Sequence, residues 1–503
     1  MKKSLNRRDF AKHLVIGSGV LASGSAAHAQ EKVNPENKRP TVGADGRVRG
    51  AEPPVFDHSL TSGKLQNNGT FLEHPREIQV KGDYDVIVAG GGPAGFTAAL
   101  AAARKGAKTL LLEVNGCIGG VWTAGMLSWI IDAGNKGGIM KELITRLEEQ
   151  NTGRYVTSSF VYQPDEMKVL LEQMLLEAGV TVRIHTRVVG AATDDKNRLA
   201  AVLTESKSGR ECWTAKNFID CSGDGDLAAQ AGCDFEFGRP GDGITQPMSL
   251  MVLMTGVKTD GIAQFIRGVC EPRGLGNPKS NLLAEFRRGG IDPSYGGPTI
   301  FEIREGLYAV MINHQYGVSA IDADDVTSAT LQARHEVHKL IGALRKLGGP
   351  WSGVELVTTG EQIGTREGRR ILGRYYVDSE DLESGAKFDD GICPVRFGID
   401  VHSTDPKETK GIEAKPFKSK PYDIPLRALL ARDVDGLMMA GRCISGDFIA
   451  HSSYRVTGNS VAMGEAAGLT AAIASENKVL PHDVPYQEVQ KALGMGAESV
   501  TKA

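Results

Sequence analysis

The stretch from Tyr84 to Glu113, YDVIVAGGGPAGFTAALAAARKGAKTLLLE, limits what this chain can fold into more than any other. Asp85 to Ala89 are strand-forming and run into Gly90-Gly91-Gly92-Pro93-Ala94-Gly95, while Ala98 to Ala103, almost all alanine, suits a helix packed closely on a sheet. A GxGxxG turn is informative only in this setting, with a strand before it and a helix after. Gly90 permits the tight turn, Gly92 lets the backbone approach a diphosphate, and Gly95 lets the helix lie against the strand. The first helical turn, which opens with Pro93 and Ala94, then offers free N–H groups, Pro93 excepted, to an anion. A second apolar run, Thr109 to Leu112, ends in Glu113. It lies about 20 residues after the glycines, where a carboxylate accepts hydrogen bonds from both ribose hydroxyls and repels a 2′-phosphate. The stretch therefore predicts an NAD-like or FAD-like dinucleotide rather than an NADP-like one.

The 503 residues are enough for two or three domains, and a net charge of −3 without a basic stripe argues against nucleic acid as a partner. The N-terminus carries Arg7-Arg8 in a basic segment, a mildly apolar stretch from Leu14 to Ala26, and Ala27-His28-Ala29 as an A-x-A cleavage pattern. It resembles a twin-arginine export signal (1–29), which implies the twin-arginine translocase as a transient partner and a periplasmic destination. The apolar stretch is too short and too rich in Gly and Ser for a stable membrane span. A leader (30–82), dense in Pro, Gly, Asn and charge, is expected to be extended, apart from a strand-like piece at Glu77 to Val80. The seven cysteines contain no CxxC pair, which excludes a zinc ribbon, c-type haem and a dense disulfide framework, and no metal is expected.

After Glu113 comes a loop whose small residues, Gly119, Gly120 and Thr123 among them, would let the backbone approach a flat cofactor. Cys117 invites a covalent flavin link or a redox thiol, but no neighbour in sequence lowers its pKa, so a structural thiol is expected. Pro164 to Ala178 reads as an amphipathic helix, followed by a strand at Thr181 to Ile184 and a meander from Val188 to Ala192 and Ala200 to Glu205. An apolar strand then ends in Asp220-Cys221-Ser222-Gly223-Asp224, a polar glycine turn. Between 241 and 424 the composition shifts. Thr299 to Ile303 and Tyr308 to Ile312 form a hairpin, and Val326 to Leu347 a helix capped by Thr327 or Ser328, with His335 and His338 on its surface. The run Arg366-Glu367-Gly368-Arg369-Arg370 reads equally as a solvated basic face or an anion site, and His402, taken alone, reads as structural. Near the end a strand runs into Gly441-Arg442, a polar loop spans Ser445 to Asn459, and Ser460 to Ala474 is a small-residue helix whose N-terminus is Gly458-Asn459-Ser460.

Taken in order, GGGPAG, Glu113, GG-x-x-TAG, DCSGDGDLA, IGTREGRRILG, DVH, YDIPLRALL, AGRCIS, AHSSYRV and GEAAG resemble the FAD-dependent oxidoreductase family, distantly similar to the flavoproteins of fumarate reductase and succinate dehydrogenase. The resemblance implies an α/β fold, a glutathione-reductase-type FAD-binding Rossmann domain (83–240 and 425–480) with an inserted α+β substrate domain (241–424) and a tail (481–503). It implies that Gly223, Asp224, Gly441, Arg442, Gly458, Asn459 and Ser460 return to the FAD, with Val188 of the meander nearby. It also places His451, Arg455, His402 and Arg366 over the reacting face. There His451 or His402 would be the general base, and Arg455 and Arg366 would hold an anionic or oxygen-rich substrate. Asp447-Phe448-Ile449 departs from the family pattern and is expected to reshape the pocket rim.

The function expected is hydride transfer between a small organic substrate and flavin. Because no haem or iron–sulfur cysteine pattern is present, electrons would pass to a separate protein, a quinone or oxygen. A single dinucleotide motif speaks against a dedicated NAD(P)H domain. The alternatives are a reductase of activated double bonds, with an arginine as proton donor, and a flavin- or ligand-binding protein without turnover.

Overall fold

The computed structural model describes residues 62–495, together with a short antiparallel pairing of Thr41–Val42 with Val48–Arg49. The expected export signal lies outside the described residues. Gly63–Leu65 pairs antiparallel with Phe71–Glu73 inside a unit spanning Met1–Arg76, and everything that follows concerns the second unit, Glu77–Ala503.

A seven-stranded sheet is built on Val80–Ala89, whose last four residues are buried. Thr109–Leu112 pairs parallel on one side, with Thr181–Arg183 parallel beyond it, and Gly209–Asp220 pairs parallel on the other. Leu437–Met439 returns from the far end of the chain to lie parallel to Phe218, Ile219 and Asp220. Arg187–Thr193 and Leu199–Ser206 form the expected antiparallel meander. The first strand starts earlier than expected and takes in only Val80 of the piece read at Glu77 to Val80.

Two helices cover the sheet's glycine-turn side, Pro93–Arg104 and Thr457–Asn477, and both bury nearly their whole length. Small residues allow this: a Cβ on Gly468 would stand 2.2 Å from the Ala98 carbonyl oxygen, and one on Gly464 would stand 2.1 Å from that of Ala94. The expected hairpin forms as Thr299–Arg304 and Leu307–Met311, within a five-stranded sheet completed by Ile266–Arg267, Val252–Thr255 and Glu355–Thr359. Helix Ala323–Leu347 buries Val337, Leu340, Ile341 and Leu344 in the same core as strand residues of that sheet, and leaves His335 and His338 exposed as expected.

Three local expectations fail. Helix Ala323–Leu347 is capped by Asp322, which accepts from the Asp324 and Asp325 amides, so Thr327 and Ser328 lie inside it. The polar loop at Ser445 to Asn459 contains a helix, Phe448–Tyr454, whose cap Asp447 accepts from the Ala450 amide. The last long helix starts at Thr457 rather than Ser460. In each case an aspartate cap or a buried small-residue face outweighed the polar look of the sequence.

Candidate active site

The glycine turn opens into a cavity of about 430 Å³. Gly90 has φ +98°, which favours glycine. Gly92, at the helix N-cap, has an ordinary φ of −65° and no side-chain cap, and a Cβ there would meet no protein atom within 4 Å. The helix bears no acidic residue in its first turn. Its uncapped N–H groups, an open approach at Gly92 and a buried carboxylate nearby form the cradle that the diphosphate and ribose of FAD require. Glu113 supplies that carboxylate: Oε2 accepts from the Gly91 amide at 2.6 Å and Oε1 from the Asn115 amide at 2.7 Å. Burial pushes its pKa up, opposed by these backbone bonds.

Of the residues expected at the cofactor, Gly90, Gly92, Pro93, Ala94, Glu113, Gly120, Val188, Gly223, Gly441, Arg442 and Ser460 line this cavity. The others stand behind it. A Cβ on Gly95 would stand 1.7 Å from the Gly90 carbonyl oxygen, so that glycine serves the turn itself. Gly119 donates its amide to the Gly91 carbonyl at 2.8 Å, and the Thr123 hydroxyl donates to the Ile118 carbonyl at 2.7 Å, which ties the following loop to the turn. Asp224 accepts from Arg442 at 2.5 Å and thereby fixes an arginine that does reach the cavity. Gly458 and Asn459 lie off the cavity wall: the Gly458 amide donates to the Ile131 carbonyl at 3.1 Å, and Asn459 lies fully buried beside Cys393. Cys117 is also off the cavity wall, and burial raises its thiol pKa, the opposite of a reactive thiolate.

A second group of residues lines the same cavity from the five-stranded sheet and the segments around it: Ser249, Arg267, Lys279, Tyr295, Arg366, Asp400, His402 and Arg455. His402 is 6% exposed and forms the centre of a chain of contacts. Its Nδ1 shares a hydrogen bond with His314 Nε2 at 3.1 Å, and His314 Nδ1 lies 3.1 Å from the Tyr316 hydroxyl. On the other side, His402 Nε2 lies 3.5 Å from Asp400 Oδ2. The Tyr295 ring lies over His314 with 4.0 Å between centroids.

Burial and the Arg366 charge, opposed by Asp400, push the His402 pKa down to about 3. His314 is driven well below its ordinary value by burial and by the Arg366 and His402 charges. Both imidazoles are therefore neutral at pH 7. Burial works against the Asp400 carboxylate, but the Arg455 and Arg366 charges beside it hold it below the usual carboxylate range.

Arg455 and Arg366 reach the cavity but are already partly engaged, with Arg455 Nε left without a partner. Arg455 donates to the Asp400 carbonyl at 2.8 Å and lies 3.4 Å from its carboxylate. Arg366, 8% exposed, donates to the Pro247 carbonyl and, at 3.0 Å, to the Ser249 hydroxyl. The arginine run is not a solvated face. Arg370 is 1% exposed and paired with Glu367 at 2.8 Å, and Arg369 donates to Asp226 at 2.9 Å. His451 does not line the cavity. It is fully buried in helix Phe448–Tyr454, edge-on to Tyr454 at 5.4 Å, and burial among Arg370, Arg455 and Arg442 pushes its pKa well down. Of the two histidines considered as base, only His402 lines the cavity.

Sequence reasoning missed His314, Arg267, Lys279, Tyr295 and Asp400. Only Asp400 left a local signal, as the acid two residues before His402.

Among solved structures, the chain is similar to a geranylgeranyl bacteriochlorophyll reductase-like protein of Thermoplasma acidophilum, with 16% identity, 83% of this chain and 84% of that chain covered, and a TM-score of 0.40. It is also similar to p-nitrophenol 4-monooxygenase of Pseudomonas putida DLL-E4, with 10% identity, coverage of 82% and 84%, and a TM-score of 0.40. The sequence itself matches the family described as FAD dependent oxidoreductase over residues 85–493. The match runs through the glycine turn, the cavity wall and the C-terminal return alike, and the chain belongs to that family, an FAD-dependent oxidoreductase with a Rossmann-type cofactor domain.

Proposed function

We propose that this enzyme dehydrogenates a small organic substrate, with His402 taking the proton while hydride leaves for the cofactor. The observation that carries the reading is a buried, neutral histidine on the wall of the cavity that begins at the glycine turn. FAD, when bound, supplies the two-electron acceptor at its N5 position. His402 Nε2 receives the substrate proton, and Asp400 at 3.5 Å stabilises the imidazolium so formed. His314, bonded at Nδ1, fixes the ring's orientation. Arg455 holds Asp400 in place and keeps it ionised. Ile131, Trp129, Phe301 and Met311 supply apolar wall that excludes water from the reacting groups.

The electrons pass on to a separate carrier: a protein, a quinone or oxygen. The holoenzyme is expected to lose its flavin colour on anaerobic mixing with a substrate from a panel of alcohols, sugars and hydroxy acids, and to regain it when an acceptor is added. A flavin that no substrate in the panel bleaches, but that reduced viologen reduces and unsaturated acids reoxidise, would replace this reading with double-bond reduction.

The proposal includes export by the twin-arginine route, supported by Arg7-Arg8 and Ala27-His28-Ala29. Mass spectrometry of periplasmic protein is expected to find an N-terminus at Gln30. A periplasmic form beginning at Met1 would contradict cleavage there.

A further inference from the structure

The cationic side chains of the substrate part of the cavity fall into two groups. Arg366 and Arg455 already give donors to protein acceptors, although Arg455 Nε is left without a partner. Arg267 and Lys279 do not: among the described residues, neither side chain has an ion pair or a hydrogen bond, although both line the cavity and are half-buried. Their backbones are firmly placed. Arg267 ends the strand Ile266–Arg267, opposite Phe301, and its guanidinium lies over the Trp129 ring at 5.1 Å, which is itself stacked on Phe301 at 4.5 Å. Lys279 occupies the first turn of helix Pro278–Arg288, where the Asn277 side chain caps its amide.

Burial and the nearby Arg267 charge hold the Lys279 amine below its ordinary value, so each cation raises the energy of the other. Asp400 is the carboxylate whose field reaches Lys279, and Arg455 already engages it. Two like charges kept unpaired at a cavity wall are stabilised when an anion settles between them. A planar guanidinium held over an aromatic ring suits a planar, bidentate acceptor.

We infer that the substrate carries a carboxylate, and that Arg267 and Lys279 bind it. The inference rests on the cavity being the substrate site, as proposed above. It replaces Arg366 and Arg455 as the anion clamp, and it narrows the substrate to small organic acids whose oxidisable carbon lies within reach of His402.

The test is calorimetric titration of the FAD-loaded enzyme with acetate, glycolate, malate and gluconate, each beside its neutral amide. At least one acid is expected to bind about 10-fold or more tightly than its amide, with the preference weakening in salt. Lys279→Met and Arg267→Met should each weaken that acid by about 10-fold or more, and more than they weaken its amide, with FAD content unchanged. Lys279→Gln and Arg267→Lys provide the same reading if either methionine variant folds poorly. The inference is overturned if every acid binds no better than its amide, or if tight acid binding survives both substitutions. Failure of the proposed function reads differently: acids would still bind through Lys279 and Arg267, but none would bleach the flavin.

Discussion

Gly92→Val is expected to give a folded protein that does not retain FAD. The backbone at Gly92 has φ −65°, open to any residue, and an added Cβ meets no protein atom within 4 Å. The cost to the cofactor-free fold is therefore confined to a poorer helix cap, about 1 kcal/mol. The branched side chain instead projects into the cavity beside the first-turn N–H groups, where the diphosphate must approach closely. Losing two or more charge-assisted backbone bonds weakens FAD binding by about 100-fold or more. Gly468→Val is the contrasting control. Its Cβ is 2.2 Å from the Ala98 carbonyl, so it should destabilise the helix pair by about 3 kcal/mol and cost FAD through unfolding. Thermal melts of the two cofactor-free variants, set beside FAD titrations, separate the cases. A Gly92→Val protein that binds FAD normally would show that the turn does not hold the diphosphate.

His402→Asn is expected to retain FAD and lose about 10²- to 10⁴-fold in kcat/KM. The substitution keeps a polar group able to bond His314, but removes the nitrogen that faces Asp400 and the cavity. The pH dependence carries a sign as well. A base whose free-enzyme pKa is depressed to about 3 stays unprotonated well below the ordinary histidine value of 6.5. The kcat/KM of the parent should accordingly show no acid limb near 6.5 from this group, falling only as pH approaches the depressed value. The same shift has a cost for stability. Between 6.5 and about 3 the unfolded state binds the proton that folded His402 refuses, so stability declines as pH falls through that window, and less steeply in His402→Asn. His451→Asn, substituted off the cavity wall, should leave the pH profile unchanged even if it lowers stability.

The sequence made the cofactor half of the site legible and the substrate half largely illegible. Gly90, Gly92, Pro93, Ala94 and Glu113 lie within one strand–turn–helix–strand unit, whose spacing is dictated by a diphosphate and a ribose, so local pattern suffices. His402 meets His314 across 88 residues of chain, and Arg267 and Lys279 reach the cavity from two further elements, so nothing at short range signals either pairing. His451 shows the opposite error. Its polar neighbours Ser452 and Ser453 suggested a loop at the flavin, but they are fully buried in a helix whose hydroxyls bond the Ile449 and Phe397 carbonyls. Arg366 and Arg455 line the cavity, yet a residue's type says nothing of how many of its donors the protein has already taken.

The central claim is that one cavity holds FAD with its diphosphate at Gly92 and its reacting ring within a small substrate's length of His402. A crystal structure of the FAD-loaded enzyme tests it most directly. The account predicts diphosphate oxygens against the helix N-terminus at Gly92 to Ala94, Glu113 at the ribose, and the ring separated from His402 Nε2 by a gap that one substrate fills. A ring seated on a different wall, with His402 screened from it by protein, would contradict the account even if the diphosphate lay where expected.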